Sequence, residues 1–186
     1  GGNSLLETVS FGRYTARTII EELPKMEAPD PEPVEKTIQE SESMITELLG
    51  RVEGELLYPV MREMKETMSL HFGLFREEQG MQNGLVKIKA LQVRFSRVRV
   101  THRERVFNQA LIQALELKGM LLLCEVVARG ALARRESRGS HARTDYPARD
   151  DEHYLAHTVA HLQDGGIRIS YAPVTLGMFE PGEREY

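Results

Sequence analysis

The sequence predicts a mainly α-helical fold: an antiparallel helical bundle followed by a small C-terminal extension with a β-hairpin. Three observations lead there. Apolar residues recur at helical spacing in successive segments between positions 34 and 133. The chain has 8 Met, no Trp and only 6% aromatic residues, which suits an aliphatic helical core better than a sheet core. Past Arg134 the texture changes to Ser, Gly, Asp and Arg, and Asp164-Gly165-Gly166 divides two short β-type runs.

Each element has a local reason. Ser4-Leu5-Leu6-Glu7 reads as a capping box, in which the Ser4 hydroxyl accepts from the Glu7 amide and Glu7 reaches back, so a helix runs from Leu5 to about Leu23. It ends before Pro24, and four prolines between positions 24 and 33 make an extended, solvated linker. A second helix covers about Val34 to Leu49, with Ile38, Ile45, Leu48 and Leu49 on one face. A third begins near Leu57 with Pro59 in its first turn, where a missing amide costs little, and closes at Phe72-Gly73. Asn83 or Gly84 opens a fourth, through Leu85, Ile88, Leu91 and Phe95. The fifth, about Arg103 to Ala133, is apolar on most sides and belongs at the centre of the bundle. Residues 136–151 form a long ordered loop, and strands follow near Thr158–Leu162 and Ile167–Tyr171. The domain layout is then 1–23 as a terminal helix, 24–33 as linker, 34–133 as bundle and 134–186 as loop and hairpin.

Composition excludes several classes. The 24 Lys and Arg nearly balance 28 Asp and Glu, for a net charge of -4, so no nucleic-acid partner is expected. Cys124 is the only cysteine, which rules out an intrachain disulfide and a Cys-based zinc site and fits a reducing compartment. It sits in the apolar run after Met120 with no cationic neighbour to activate it, and reads as a small buried hydrophobe. The most apolar stretch, Ala110 to Leu132, contains Glu116, Lys118, Glu125 and Arg129, so it is not a membrane span.

Several constellations could carry chemistry. His153, His157 and His161 are spaced four apart, as metal-binding His pairs on a helix are. The downstream half reads as strand and no carboxylate completes a set, so no metal site is expected. Arg94, Arg97, Arg99, Arg103 and Arg105 could meet an acidic partner or a phosphate, though a solvated helix end is the simpler reading. Glu136-Ser137-Arg138-Gly139-Ser140-His141 lines up a guanidinium, a glycine, a hydroxyl and an imidazole just past a helix, with Asp145, Asp150 and Asp151 close behind. It reads as a salt-bridged interface loop or a His–acid pair, without a visible nucleophile. Gly1-Gly2-Asn3-Ser4 is a glycine turn at a helix N-terminus, where unpaired amides and the helix dipole attract anionic oxygen.

In order along the chain, these segments resemble the succinate dehydrogenase/fumarate reductase flavoprotein family. The resemblance is carried by Gly1 to Arg13, Met61 to Met68, Phe72 to Arg76, Leu115 to Met120 and above all by Arg135-Glu-Ser-Arg-Gly-Ser-His-Ala-Arg143, Asp145-Tyr-Pro147 and Arg149-Asp-Asp151. It covers nearly the whole chain and implies the C-terminal portion of a subunit that binds FAD, interconverts succinate and fumarate, and passes electrons to an iron–sulfur subunit docked on membrane anchor subunits. The implied location is cytoplasmic, peripheral on the inner face of the cytoplasmic membrane.

The resemblance also implies residue roles. Ser4 and Leu5 match positions whose backbone contacts the flavin, and Gly1 and Gly2 match the turn beside the dicarboxylate. Arg138 and His141 belong to the family's signature loop without an assigned role. The family's substrate-clamping Arg, proton-donating Arg and flavin-linking His fall ahead of the position of Gly1, and no glycine-rich dinucleotide fingerprint follows a strand. No catalytic residue is therefore expected here, and the isolated chain is expected to be inactive. A fragment of an L-aspartate oxidase-like flavoprotein, which shares the Ser-Arg-Gly-x-His signature, and a non-catalytic helical docking module are the alternatives. A helix over Leu5–Leu23 left exposed would fit a flavoprotein piece whose packing surface lies elsewhere.

Overall fold

The computed structural model describes residues 3–28, 30–178 and 182. Contacts divide the chain into two compact units, Gly1–Ser43 and Met44–Tyr186.

The first unit is helical. Helix α1 spans Asn3–Glu22, so it starts one residue ahead of the expected cap and Ser4 lies within its first turn. The Ser4 carbonyl accepts from the Thr8 hydroxyl at 2.8 Å. A 3-10 turn, Leu23–Lys25, takes up Pro24. Helix α2, Pro31–Gly50, absorbs Pro31 and Pro33 in its first turn, and Asp30 receives the Glu32 amide at 3.0 Å. The linker is correspondingly shorter than the prolines suggested. Along α1 the apolar side chains Leu5, Leu6, Val9, Phe11, Tyr14, Ile19 and Ile20 are all exposed.

The second unit opens with the last turns of α2, where Leu48 is buried. There follow β1 (Glu55–Leu56), α3 (Leu57–His71), β2 (Phe75–Arg76), α4 (Glu78–Phe95), β3 (Val98–Arg99) and α5 (Gln109–Ala133). After these come β4 (Ala142–Arg143), α6 (Asp151–Tyr154), β5 (Ala156–Gln163) and β6 (Gly166–Pro173). Helix α4 packs against both α3 and α5, which makes the bundle. Short parallel pairs, β1 with β3 and β2 with β4, tie loops together at its ends.

The core has two clusters. One gathers Leu57, Val60, Met61 and Met64 of α3, Leu91 of α4, and Leu111, Leu117 and Leu121 of α5. The other joins Phe72, Met81, Ile88, Ala128 and Ala131. Cys124 packs against both, and burial pushes its thiol up, as expected of an inert side chain. Each fully buried Leu or Met contributes about 2 kcal/mol of apolar transfer, so α5, which feeds both clusters, is the central element.

Two helix starts differ from expectation. Helix α4 begins at Glu78, not at Asn83 or Gly84. Gly84 lies inside it because a Cβ there would come within 2.5 Å of the Phe72 ring. Helix α5 begins at Gln109, six residues after Arg103, because Asn108 caps it. The Asn108 Oδ1 accepts from the Leu111 amide at 3.0 Å, and its Nδ2 donates to the carbonyls of His102 and Glu104 at 2.9 and 2.8 Å. The hairpin is as expected but longer: Asp164 and Gly165 both take positive φ, 51° and 72°, the geometry of a two-residue turn that matches strand twist.

Candidate functional site

The signature loop folds as a clamp around one buried carboxylate. Glu136 has no exposed surface (0%) and follows directly on the end of α5. Its Oε1 accepts from Arg134 Nη1 and from Arg138 Nε, the latter at 2.9 Å. Its Oε2 accepts from Arg138 Nη2 at 3.0 Å and from the Asp150 amide at 2.8 Å. Burial alone would raise this carboxyl, but hydrogen bonds from Arg138, the Asp150 amide and Arg134 outweigh it and hold Glu136 below the usual range. Arg138 also reaches Asp151 at 2.6 Å, and Arg149 takes the other Asp151 oxygen at 2.8 Å. The bond from Glu136 is the main reason the Arg138 guanidinium holds its proton more tightly than usual.

Arg134 fastens the hairpin to this clamp. It donates to the Tyr154 carbonyl at 2.8 Å and the Thr158 hydroxyl at 3.0 Å, and lies 5.5 Å from the Tyr154 ring and 5.9 Å from that of Tyr171. Gly139 turns the chain at φ +58°, a conformation that favours glycine, so that Arg138 and His141 exchange backbone bonds of 2.9 and 3.0 Å. Ser137 Oγ accepts from the Arg143 amide at 2.8 Å and donates to the Tyr146 carbonyl at 2.9 Å.

His141 is held from both sides. Its Nδ1 accepts from Arg76 Nη1 at 2.9 Å and its Nε2 donates to the Arg134 carbonyl at 3.0 Å, a tautomer assigned from these partners. Burial lowers its pKa most, the Arg134 carbonyl opposes, and the charges of Arg76, Arg143 and Arg134 lower it further. The residue facing it is a guanidinium, so the His–acid pair does not form. The carboxylates Asp145, Asp150 and Asp151 serve other partners instead.

Arg143 is as buried as Glu136. It makes two bonds of 2.7 Å to Asp145, reaches the carbonyls of Ala131 and Arg134, and stacks 4.8 Å from the Tyr146 ring. The Arg143 bonds hold Asp145 at about 2. Asp145 in turn accepts the Glu78 amide at 2.9 Å, so the loop caps α4 from 67 residues away. The loop therefore acts as a staple joining α4, α5, β2 and the hairpin. Arg134 was not singled out by sequence reasoning, because its hairpin partners Tyr154 and Thr158 are distant in the chain, while Arg143 and Asp145 were named within the loop motif without their reach to α5 and α4.

The other candidates separate. His153 lies on α6 beside Asp150, while His157 and His161 lie on β5 about 13 Å apart. Among the described residues no group of three or more His, Cys, Asp or Glu is placed to hold a metal. The arginine cluster divides: Arg94 is held by Glu55 and Glu63, and Arg99 donates to the Gly54 carbonyl, while Arg97 and Arg103 stay exposed. Gly1 and Gly2 lie outside the described residues. Ser4 and Leu5 stand in the first turn of α1, where backbone amides have no intrahelical acceptor and the helix dipole favours negative charge. These donors fit the anionic edge of a flavin as one contact among several, while exposed α1 by itself builds no walled pocket.

The family described as "Fumarate reductase flavoprotein C-term" matches residues 61–186. The fumarate reductase flavoprotein subunit of Mycobacterium tuberculosis is 34% identical over 100% of this chain and 33% of its own length. The succinate dehydrogenase flavoprotein subunit of Coxiella burnetii is 38% identical over 100% of this chain and 32% of its own. A solved E. coli quinol fumarate reductase variant superimposes with a TM-score of 0.77 at 32% identity, over 84% of this chain and 27% of that one. Adenylylsulfate reductase from Archaeoglobus fulgidus, at 18% identity and a TM-score of 0.65, shares the fold. The chain belongs to the succinate dehydrogenase/fumarate reductase flavoprotein family, and it spans about a third of the length of the curated relatives it matches. No described helix is long and apolar enough to cross a membrane.

Proposed function

We propose that this chain is the C-terminal region of an FAD-dependent subunit that interconverts succinate and fumarate and passes electrons to an iron–sulfur subunit. On this reading residues 1–23 complete the flavin-binding domain, 24–33 link it to the bundle at 34–133, and 134–186 form the C-terminal clamp and hairpin. The observation that carries it is the end-to-end match to fumarate reductase and succinate dehydrogenase flavoprotein subunits over 100% of the chain. The exposed apolar residues of α1 support it, since a helix of this kind needs a covering surface.

When bound, the flavin takes up or releases the electron pair that the dicarboxylate exchanges. The amides at Ser4 and Leu5 stabilise the negative charge that accumulates at its edge, and Gly1 and Gly2, without side chains, let the dicarboxylate come close to the backbone. Arg138 and His141 hold the C-terminal clamp together. Membrane association comes through the partner subunits, with this region peripheral on the cytoplasmic side.

The test begins with the coding DNA upstream of Gly1, which should read in frame through an Arg two codons ahead into a flavin domain. The extended polypeptide should retain flavin and reduce a dye with succinate, and the isolated 186-residue chain should do neither. Turnover by the isolated chain, or an extended polypeptide that retains no flavin, overturns the proposal.

A further inference from the structure

Arg134, Arg138, Arg143 and Arg149, the arginines of the signature clamp, each pair with a carboxylate. Arg76, wired to the same clamp, pairs with none among the described residues. Its Nε donates to the Gly73 carbonyl at 2.8 Å and its Nη1 to His141 at 2.9 Å. Burial lowers its pKa, and no carboxylate opposes that shift. This half-buried guanidinium lacks the anion that its four neighbours have.

Arg76 lines a cavity of about 300 Å³ between the end of α3 and the start of α4, together with Leu70, His71, Phe75, Glu77 and Gly80. Glu77 is its counterpart, an exposed carboxylate that forms no ion pair among the described residues. The backbone at Glu77 is extended, φ -138° and ψ 157°, which turns consecutive side chains apart and keeps Arg76 and Glu77 from meeting. A cation and an anion thus border one cavity, and neither is neutralised. Gly80 leaves space beside Glu77: a Cβ there would lie 3.5 Å from Glu77 Cγ and 3.8 Å from His71 Nδ1. His71 adds no charge, since burial and then the Lys87 charge lower its pKa. Its Nε2 is buried without a partner, so Nδ1 is the atom left to hydrogen-bond. Leu70 and Phe75, on the same cavity, are 71% and 72% exposed.

We propose that this cavity binds a small zwitterion, a free α-amino acid with an apolar side chain. The Arg76 fork takes the carboxylate, Glu77 takes the ammonium, and Leu70 and Phe75 cover the side chain. A simple anion would be repelled by Glu77 and a simple cation by Arg76, so a molecule carrying both charges is the one that satisfies both walls. The volume is at the small end of ligand cavities, which suits a single amino acid and is too small for a nucleotide.

The test is an NMR titration of the isotope-labelled 186-residue chain with three probes of similar shape: leucine, isocaproate, which lacks the ammonium, and isoamylamine, which lacks the carboxylate. Leucine should shift the amides of residues 70–83 saturably, with a Kd in the millimolar range. Isocaproate and isoamylamine should each bind at least about tenfold more weakly. The Glu77 side chain makes no hydrogen bond or ion pair among the described residues, so Glu77→Gln should fold as the parent does. It should weaken leucine about tenfold and leave isocaproate unchanged or tighter, a split that a merely structural residue would not produce. Arg76→Gln should abolish the binding of leucine. The absence of a saturable shift with leucine overturns the proposal. So does isocaproate binding as tightly as leucine, which would make the cavity a plain carboxylate site, and so does unchanged leucine affinity in Glu77→Gln. None of these readings involves flavin or turnover, so the outcome is independent of the function proposed above.

Discussion

Replacing Glu136 with Gln keeps the side chain's shape but removes the charge on which four donors converge, from Arg134, from Arg138 twice and from the Asp150 amide. The Gln amide nitrogen must also face one of those donors. Removing one member of a buried ion pair costs about 3–5 kcal/mol, because the partner is left buried and uncompensated. Here Arg138 keeps Asp151 and Arg134 keeps the Tyr154 carbonyl and two rings, so the low end applies, about 3 kcal/mol. For a unit of this size that is a fall of roughly 10 °C in Tm. Urea unfolding of residues 44–186 in the intact chain, followed by circular dichroism at neutral pH, measures it. Acid titration adds a second reading. The folded-state pKa of Glu136 is depressed, so its contribution is present above the ordinary carboxylate range and lost as pH falls through it. The variant should therefore lose stability less steeply in acid than the wild type. A loss under about 1 kcal/mol, the value of an exposed pair, would refute the view that this carboxylate holds the loop.

Further predictions follow from the same wiring. His141 titrates below its ordinary value when folded, so the unfolded chain binds the proton first and stability should fall as pH drops through about 6.5; His141→Gln should flatten that limb of a denaturation–pH profile. Asp145→Ala removes the cap of α4 and leaves buried Arg143 only the Glu78 carboxylate at 3.7 Å, and should cost about 3 kcal/mol in urea unfolding. Gly84→Ala should destabilise by about 1–3 kcal/mol despite Ala's better helix propensity, since the new methyl meets the Phe72 ring and the His71 Cβ. Asn108→Ala should cost about 2 kcal/mol, at the upper end for a cap, because three bonds go with it.

What the sequence conveyed was local. Pro59 and Phe72 bracket α3 through short-range rules, and Asp164-Gly165 sets the hairpin through its own φ angles. Helix α4 was misjudged because its cap comes from Asp145, far along the chain, and because Gly84 looks like a boundary until Phe72 is placed against it. Asn108 did carry a signal, a capping residue just ahead of an apolar run. The loop from Glu136 to Asp151 was recognisable by its motif, yet its inward wiring depends on elements that meet only in three dimensions. The same holds for Arg94, which reads as solvated and is instead held by Glu55 and Glu63.

The long reach of Asp145 bears on the order of folding. The first turn of α4 gains its acceptor only after the intervening chain has closed on itself, a loop whose closure entropy must be met before the bond forms. The body of α4, anchored by Met81, Ile88 and Leu91, can form with its neighbours well before that. The amide of Glu78 should then gain protection from hydrogen exchange together with the residues around Arg143, and later than the amides of its own helix's centre.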